Sequence, residues 1–320
     1  MPESSPAESH LKFTTVTGYF LQDEPSTDPK KFDYVASNFG LIPRSYDSDS
    51  EFDPEGHRTQ WERLEYHINK LNNDSGPDTQ FKLLFVGRHG EGVHNVAERR
   101  YGTELWDCHW SLLDGDENGT WVDARLTDLG ISQAKTANKA WKKQIEDKIP
   151  SPQSYYVSPL NRCLATATLT FEGLGLPHTD PFRPMIKELV RETLGLHTCD
   201  KRSSKTAIER EYPFFRFEAG FAEEDPLYSS ELRESDTARD KRLRELLVDV
   251  FEHDANTVIS FTAHSGAITS ILEAVGHRRF ALATGGVIPL LVRVERVQGP
   301  EPVMRVDPPM GRPVCRDGGH

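Results

Sequence analysis

The chain is poor in cysteine, in net basic charge and in long apolar runs. Its four cysteines (Cys108, Cys163, Cys199, Cys315) lie far apart among 320 residues, with no CxxC pair. That argues against a zinc knuckle, whose ligands come in close pairs. It also argues against a disulfide framework, which belongs to small secreted domains. Lys+Arg number 38 against 50 Asp+Glu, a formal net charge of −12. A general nucleic-acid binder needs a basic footprint, and none is present. No run approaches the roughly 18 apolar residues of a membrane span. The opening MPESSPAESHLKF lacks the basic start and apolar core of a secretory leader. The expectation is a soluble protein of a reducing compartment, the cytoplasm or also the nucleus, with neither nucleic acid nor membrane as partner.

What is present is enough apolar material, 36% of residues, for a real core. The acidic balance still permits a small cationic pocket, because local charge geometry decides what a cleft attracts. Residues 1–9 are polar and read as a loose tail. Residues 10–57 mix Phe13, Tyr19, Phe20, Phe32, Tyr34 and Phe39 with Pro, Asp and Ser, too aromatic for disorder and too broken for long elements. They read as an arm, which with the helix signalled by Trp61, Leu64, Ile68 and Leu71 makes a wrapping segment over 1–80. The catalytic unit then spans 81–298, with an irregular insertion at 193–230. A Pro/Gly-rich, mobile tail follows at 299–320.

Within that unit strand and helix signals alternate. FKLLFVG at 81–87, SYYVSP at 154–159, MIKELV at 185–190, TVISFTAH at 257–264 and VIPLLVRVERV at 287–297 read as strands. Helices are read after LTDLG, with Thr127 as N-cap, over NRCLATATLTFEG, from about Thr237 to Phe251, and over AITSILEAVG. The pattern predicts an α/β sandwich around a mostly parallel sheet, with ligands at the carboxyl ends of the strands. The residues just past those ends are Arg88-His89-Gly90, Ser158-Pro159 leading to Arg162, Glu188 to Glu192, and His264-Ser265-Gly266.

These groups suit a phosphoryl anion. Arg88 and Arg162 each carry a permanent charge and a planar fork for bidentate contact. Asn95, on the first turns of a helix starting near Gly92, adds a neutral donor, and the helix start adds its positive end. His89 is the natural nucleophile, provided one ring N–H is held by an acceptor. His264 can donate to a phosphoryl oxygen as charge develops, with Ser265 beside it as a substrate contact. A carboxyl must protonate the leaving alkoxide and later activate water, and Glu192 and Glu188 are both candidates. No metal or cofactor is required, and no carboxylate cluster resembles a magnesium site.

Blander readings stand beside these. His94 lines the mouth or serves as a surface or capping residue. Cys163 reads as small core packing. Cys199, in HTCDKR near His197, reads as part of a loop shaping the substrate entrance rather than as a redox or metal residue. Asp200, Lys201 and Arg202 are substrate contacts or a solvated charge run. Trp106, Trp110 and Trp121 form a pocket wall or pack the loop at 103–125.

VGRHGEGVHN resembles the RHG signature of the histidine phosphatase (phosphoglycerate mutase-like) superfamily. The similarity continues in order through LTDLGISQA, SPLNRCLATA, KELVRETLGLHTCDKR and TAHSG, covering about 81–295. The stretch at 187–202 and the wrapping arm resemble the fungal and plant phosphomutase-like phosphatase branch. The resemblance implies a three-layer fold, a phosphate pocket of Arg88, Asn95, Arg162 and His264, phosphorylation of His89, and Glu192 as acid. It implies a small phosphorylated metabolite as substrate. His94 stands where a mutase of the family has tryptophan before the asparagine, a departure that favours hydrolysis. The alternatives are a phosphoglycerate-type mutase and a catalytically silent binding protein of the same fold.

Overall fold

A computed structural model of the chain describes residues 8–176 and 182–315. Strands β1 (Ser9–Thr15), β2 (Thr79–Arg88), β3 (Ser154–Val157), β4 (Met185–Ile186), β5 (Arg216–Phe217), β7 (Val258–Ala263) and β8 (Val287–Gln298) build one sheet. A further strand, β6 (Leu232–Arg233), lies outside it and pairs with β9 (Met310–Gly311). The sheet order is β1-β8-β2-β7-β3-β4-β5, with β8 antiparallel to both neighbours and the pairings from β2 to β5 all parallel. The longer helices are α1 (Gln60–Asp74), α2 (Val93–Tyr101), α4 (Asp128–Glu146), α5 (Asn161–Phe171), α7 (Asp236–His253) and α8 (Ser265–Ala274). Shorter ones include α3 (Thr103–Cys108) and α6 (Lys205–Glu211).

The central strand explains the layering. Leu83, Leu84, Phe85 and Val86 are all buried, as a strand covered on both faces requires. Leu84 and Val86 point into a core with Leu243, Leu247, Ile268 and Ile271 of α7 and α8. Leu83 and Phe85 point the other way, onto Trp61 of α1, Trp141 of α4 and Phe20 and Phe39 of the arm. The result is the expected three-layer sandwich. Thr127 caps α4, accepting from the Gly130 N–H at 3.1 Å, as its position before LTDLG suggests.

The arm is more regular at its start than its composition suggests. Ser9 opens an edge strand in which Leu11, Phe13 and Thr15 face inward and Lys12 and Thr14 outward. Further on, Asp23 is buried against His277, 3.3 Å away, and Phe20, Phe39 and Leu41 complete the second core. MIKELV gives only a two-residue strand, because the chain turns out of the sheet at Glu188–Val190. The insertion is not irregular throughout either: it contains α6 and the edge strand β5.

Two expectations are corrected at the C-terminus. The tail read as mobile is folded against the domain over 299–315. Glu301 pairs with Arg244 at 2.7 Å, the Asp307 carbonyl accepts from Ser235 at 2.8 Å, and Arg312 bonds the Ser230 carbonyl and Glu231. A disulfide, moreover, joins Cys108 at the end of α3 to Cys315 across 207 residues of sequence. Such a pair is invisible to spacing arguments, since only the returning tail brings the two thiols together. It also departs from the reducing-compartment expectation, because disulfides persist in oxidising surroundings. No helix among the described residues is long and apolar enough to cross a membrane.

Candidate active site

The parallel strands end at one edge of the sheet, where the polar residues gather. Arg88 ends β2, and the next backbone N–H, that of His89, still bonds the Ala263 carbonyl of β7 at 3.0 Å. The loop then approaches α4 so closely that a Cβ on Gly90 would lie 2.4 Å from the Gly130 carbonyl oxygen. This contact accounts for the glycines of RHG and LTDLG together. The Gly90 N–H donates to Thr166 Oγ1 at 3.0 Å, which itself donates to the Arg162 carbonyl at 2.7 Å. The Arg88–Gly90 loop and the start of α5 are thereby fastened to each other.

His89 is 2% exposed, and its Nδ1 lies 2.7 Å from the Gly90 carbonyl oxygen. A carbonyl can only accept, so Nδ1 carries the proton and the lone pair resides on Nε2. Burial, reinforced by the positive fields of Arg162 and Arg88, holds its pKa well below the ordinary histidine value. The imidazole is therefore neutral and able to act as a nucleophile at physiological pH. The His264 ring lies 5.1 Å from it, centroid to centroid, with Nε2 2.8 Å from Ser158 Oγ. His264 caps α8 from the end of β7, is fully buried, and is likewise held neutral by burial and Arg162.

Arg162, on the first turn of α5, is 1% exposed. It donates to the Cys199 carbonyl at 2.6 Å and to Asp200 at 2.8 Å, while its buried Nε has no partner. Burial opposes its charge most strongly, but Asp200, Cys199 and Cys163 together leave its pKa raised. Arg88 donates to the Leu282 carbonyl at 2.7 Å, and its Nε too is buried without a partner. Asn95 accepts from the Gly92 N–H at 3.0 Å through its amide oxygen. That bond leaves the carboxamide NH₂ to act as a donor.

The two candidate acids separate clearly. Glu188 is engaged by Arg202 at 2.7 Å and Arg191 at 3.2 Å, inside a buried ion-pair network. Glu192 has no side-chain cation within salt-bridge range among the described residues. It accepts from the Gly266 N–H at 2.9 Å and the Thr193 N–H at 3.0 Å, and its charge reaches Arg88. Ser265, the first residue of α8, is exposed at the rim.

The structure therefore brings Arg88, His89, Arg162, Glu192 and His264 to one edge, while Asn95 lies on the first turn of α2. It also places residues whose role sequence reasoning left open. Asp200 and Arg202 are each 3% exposed, and neither is a solvated charge. Asp200 holds Arg162, while Arg202 bonds Glu188 and four backbone carbonyls. His197, Cys199 and Asp200 bring potential ligand atoms within 4.8 Å of one another. Asp200 is, however, paired with Arg162, and burial keeps the Cys199 thiol protonated by pushing its pKa well up. The group reads as the scaffold of Arg162. Cys163 is buried against His264, 3.4 Å from its Nε2, in keeping with a packing role. Trp106 and Trp121 are packed edge to face in a small core of their own.

Comparison with known proteins places the chain in a family. The family model for the histidine phosphatase superfamily (branch 1) matches residues 112–284, which include Arg162, Glu192 and His264. A "probable phosphoglycerate mutase" of Arthroderma benhamiae is 54% identical over 285 residues, covering 89% of this chain and 85% of that protein. "Phosphomutase-like protein 3" of Candida albicans is 35% identical, covering 89% of this chain and 81% of that one. "Probable phosphoglycerate mutase PMU1" of Saccharomyces cerevisiae is 36% identical, covering 73% and 84%. With a family model covering more than half its length and a relative of this similarity along most of it, the chain belongs to the histidine phosphatase superfamily.

Proposed function

We propose that the protein is a phosphomonoesterase that hydrolyses a small phosphorylated metabolite through a phosphohistidine, without a metal. The reading rests chiefly on the His89 Nδ1 contact to the Gly90 carbonyl, which directs the Nε2 lone pair outward from a neutral ring beside two arginines. The phosphate dianion binds to Arg88, Arg162 and the Asn95 amide. His89 Nε2 attacks phosphorus as the ester P–O bond breaks, and Glu192 gives its proton to the leaving alkoxide. His264 and the arginines stabilise the charge on the non-bridging oxygens. Glu192, now ionised, takes a proton from water as the water attacks the phosphohistidine. The P–N bond breaks, and inorganic phosphate and free His89 are regenerated.

The names of the relatives favour a second reading, a phosphoglycerate-type mutase, in which the phosphoryl group returns to the substrate rather than to water. His94, where the mutases of the family have tryptophan, supports hydrolysis. The deciding experiment assays a panel of phosphorylated metabolites for phosphate release in EDTA, with and without a bisphosphate primer. Release in EDTA without primer is expected. Activity restored only by magnesium, or isomerisation dependent on a bisphosphate, would overturn the reading. Absence of any turnover would leave a binding protein of the same fold.

A further inference from the structure

His94 is a buried imidazole that the proposed chemistry leaves unused. It sits on the first turn of α2 with 8% of its surface exposed, and its ring centroid is 5.5 Å from that of His89. Among the described residues no group hydrogen-bonds either of its ring nitrogens, and Nδ1 is wholly buried without a partner. Of the other buried imidazoles, His197 has only Asp107 at 3.7 Å, beyond hydrogen-bond reach, whereas three are partnered. His89 uses the Gly90 carbonyl, His264 uses Ser158, and His277 uses the Arg278 carbonyl and Asp23. A buried polar group without a partner is costly unless something meets the ring in the working state of the protein. The charges of Arg162, His89 and Arg88 all reach the ring, whose Nδ1 edge packs against Gly92.

We propose that His94 is a further substrate-contacting residue, which donates a hydrogen bond to a non-bridging oxygen of the phosphoryl group in flight to His89. The inference rests on the phosphohistidine reading above. A phosphoryl group on His89 Nε2 carries its oxygens away from that ring, and a separation of this size between rings accommodates one N–H···O contact. The imidazole is held neutral by burial, with Arg162 adding to the effect, so it offers one donor without adding a charge. A tryptophan at this position would offer its N–H from a larger, differently placed ring. Replacing it with imidazole leaves room beside the phosphoryl oxygens.

The test compares wild type, His89→Ala, His94→Phe and His94→Gln. It measures kcat/KM on one aryl and one alkyl phosphate, inhibition by orthovanadate, and thermal melting. His94→Phe keeps an aromatic ring without a donor. It is expected to lose on the order of 10²-fold in kcat/KM on both substrates and to weaken vanadate inhibition in parallel. His94→Gln, which restores an N–H, should recover most of both. If His94→Phe matches wild type in rate and vanadate inhibition, the inference fails while the phosphohistidine reading stands. A loss confined to the alkyl ester would assign the residue to the leaving group and overturn the phosphoryl contact. Equal losses in His94→Phe and His94→Gln with lowered melting would make the role structural and overturn it too. Wild type inert to phosphate esters, or His89→Ala as active as wild type, would overturn the underlying reading and the inference with it.

Discussion

The carboxylate of Glu192 accepts a hydrogen bond from the backbone N–H of Gly266 at 2.9 Å, and only a glycine permits the approach. A Cβ at position 266 would stand 2.2 Å from Glu192 Oε1. The first turn of α8 thus holds the proposed acid, and the residue just before it is His264, the proposed hydrogen-bond donor to the phosphoryl oxygens. Gly266→Ala should therefore reproduce the loss expected of Glu192→Gln. We expect a fall of about 10²-fold on alkyl phosphates and less on aryl phosphates, whose leaving groups need little protonation. Steady-state rates on the two substrate classes check this. Equal losses on both would count against Glu192 as the acid.

The low pKa of His89 makes a pH prediction. Being neutral well below 6.5, His89 should attack without an acidic limb at the ordinary histidine value. Rapid-quench measurement of phosphoenzyme formation should show a rate that persists into mild acid. The trapped phosphate should be acid-labile and base-stable, and absent in His89→Ala. A limb near 6.5 that vanished on altering His89 would contradict the neutral-ring account.

The same burial links stability to pH. His89, His94 and His264 are all held well below the usual value, and His197 is pushed down to about 3, chiefly by burial. Below about 6.5 the unfolded chain takes up protons that the folded protein refuses, so stability rises with pH there and falls on acidification. The contribution is fully present above the unfolded value and is lost as pH falls toward the folded ones. Urea midpoints should drop steadily from pH 7 to pH 5. His197→Phe should flatten the slope.

Arg162 and Asp200 form an ion pair with side chains 1% and 4% exposed. Removing one partner leaves a buried charge unmatched, which costs about 3–5 kcal/mol. Asp200→Ala should lower stability by an amount of this order and release the guanidinium from its proposed phosphate-facing pose. Denaturant melts and kcat/KM together check it. Unchanged activity would show that Arg162 is positioned without its carboxylate.

The Cys108–Cys315 bond ties the tail to α3 across 207 residues of sequence. Reduction, or Cys315→Ser, should cost about 2–4 kcal/mol and expose 299–315 to proteases. Thermal melts with and without reductant measure the first effect, and limited proteolysis the second. Identical behaviour in both states would mean that the tail's hydrogen bonds alone suffice.

Sequence by itself determined the frame and most of the polar edge. FKLLFV, almost wholly apolar apart from Lys82 and without alternation, reads as a strand covered on both faces, and the residues after such strands sit at one edge by topology. His89, Arg88 and His264 follow from that rule because their positions depend on local periodicity. The tertiary structure alone decided three things. Glu188 and Glu192 are chemically alike in sequence, and only the fold shows that Arg191 and Arg202 are buried against Glu188 and not Glu192. Asp200 and Arg202 look like a surface charge run until distant segments close over them. Cys108 and Cys315, like Leu11 and Phe13 of the edge strand, acquire partners from the far end of the chain. Local pattern records the face a residue presents, whereas a contact across hundreds of residues depends on where the rest of the chain has packed.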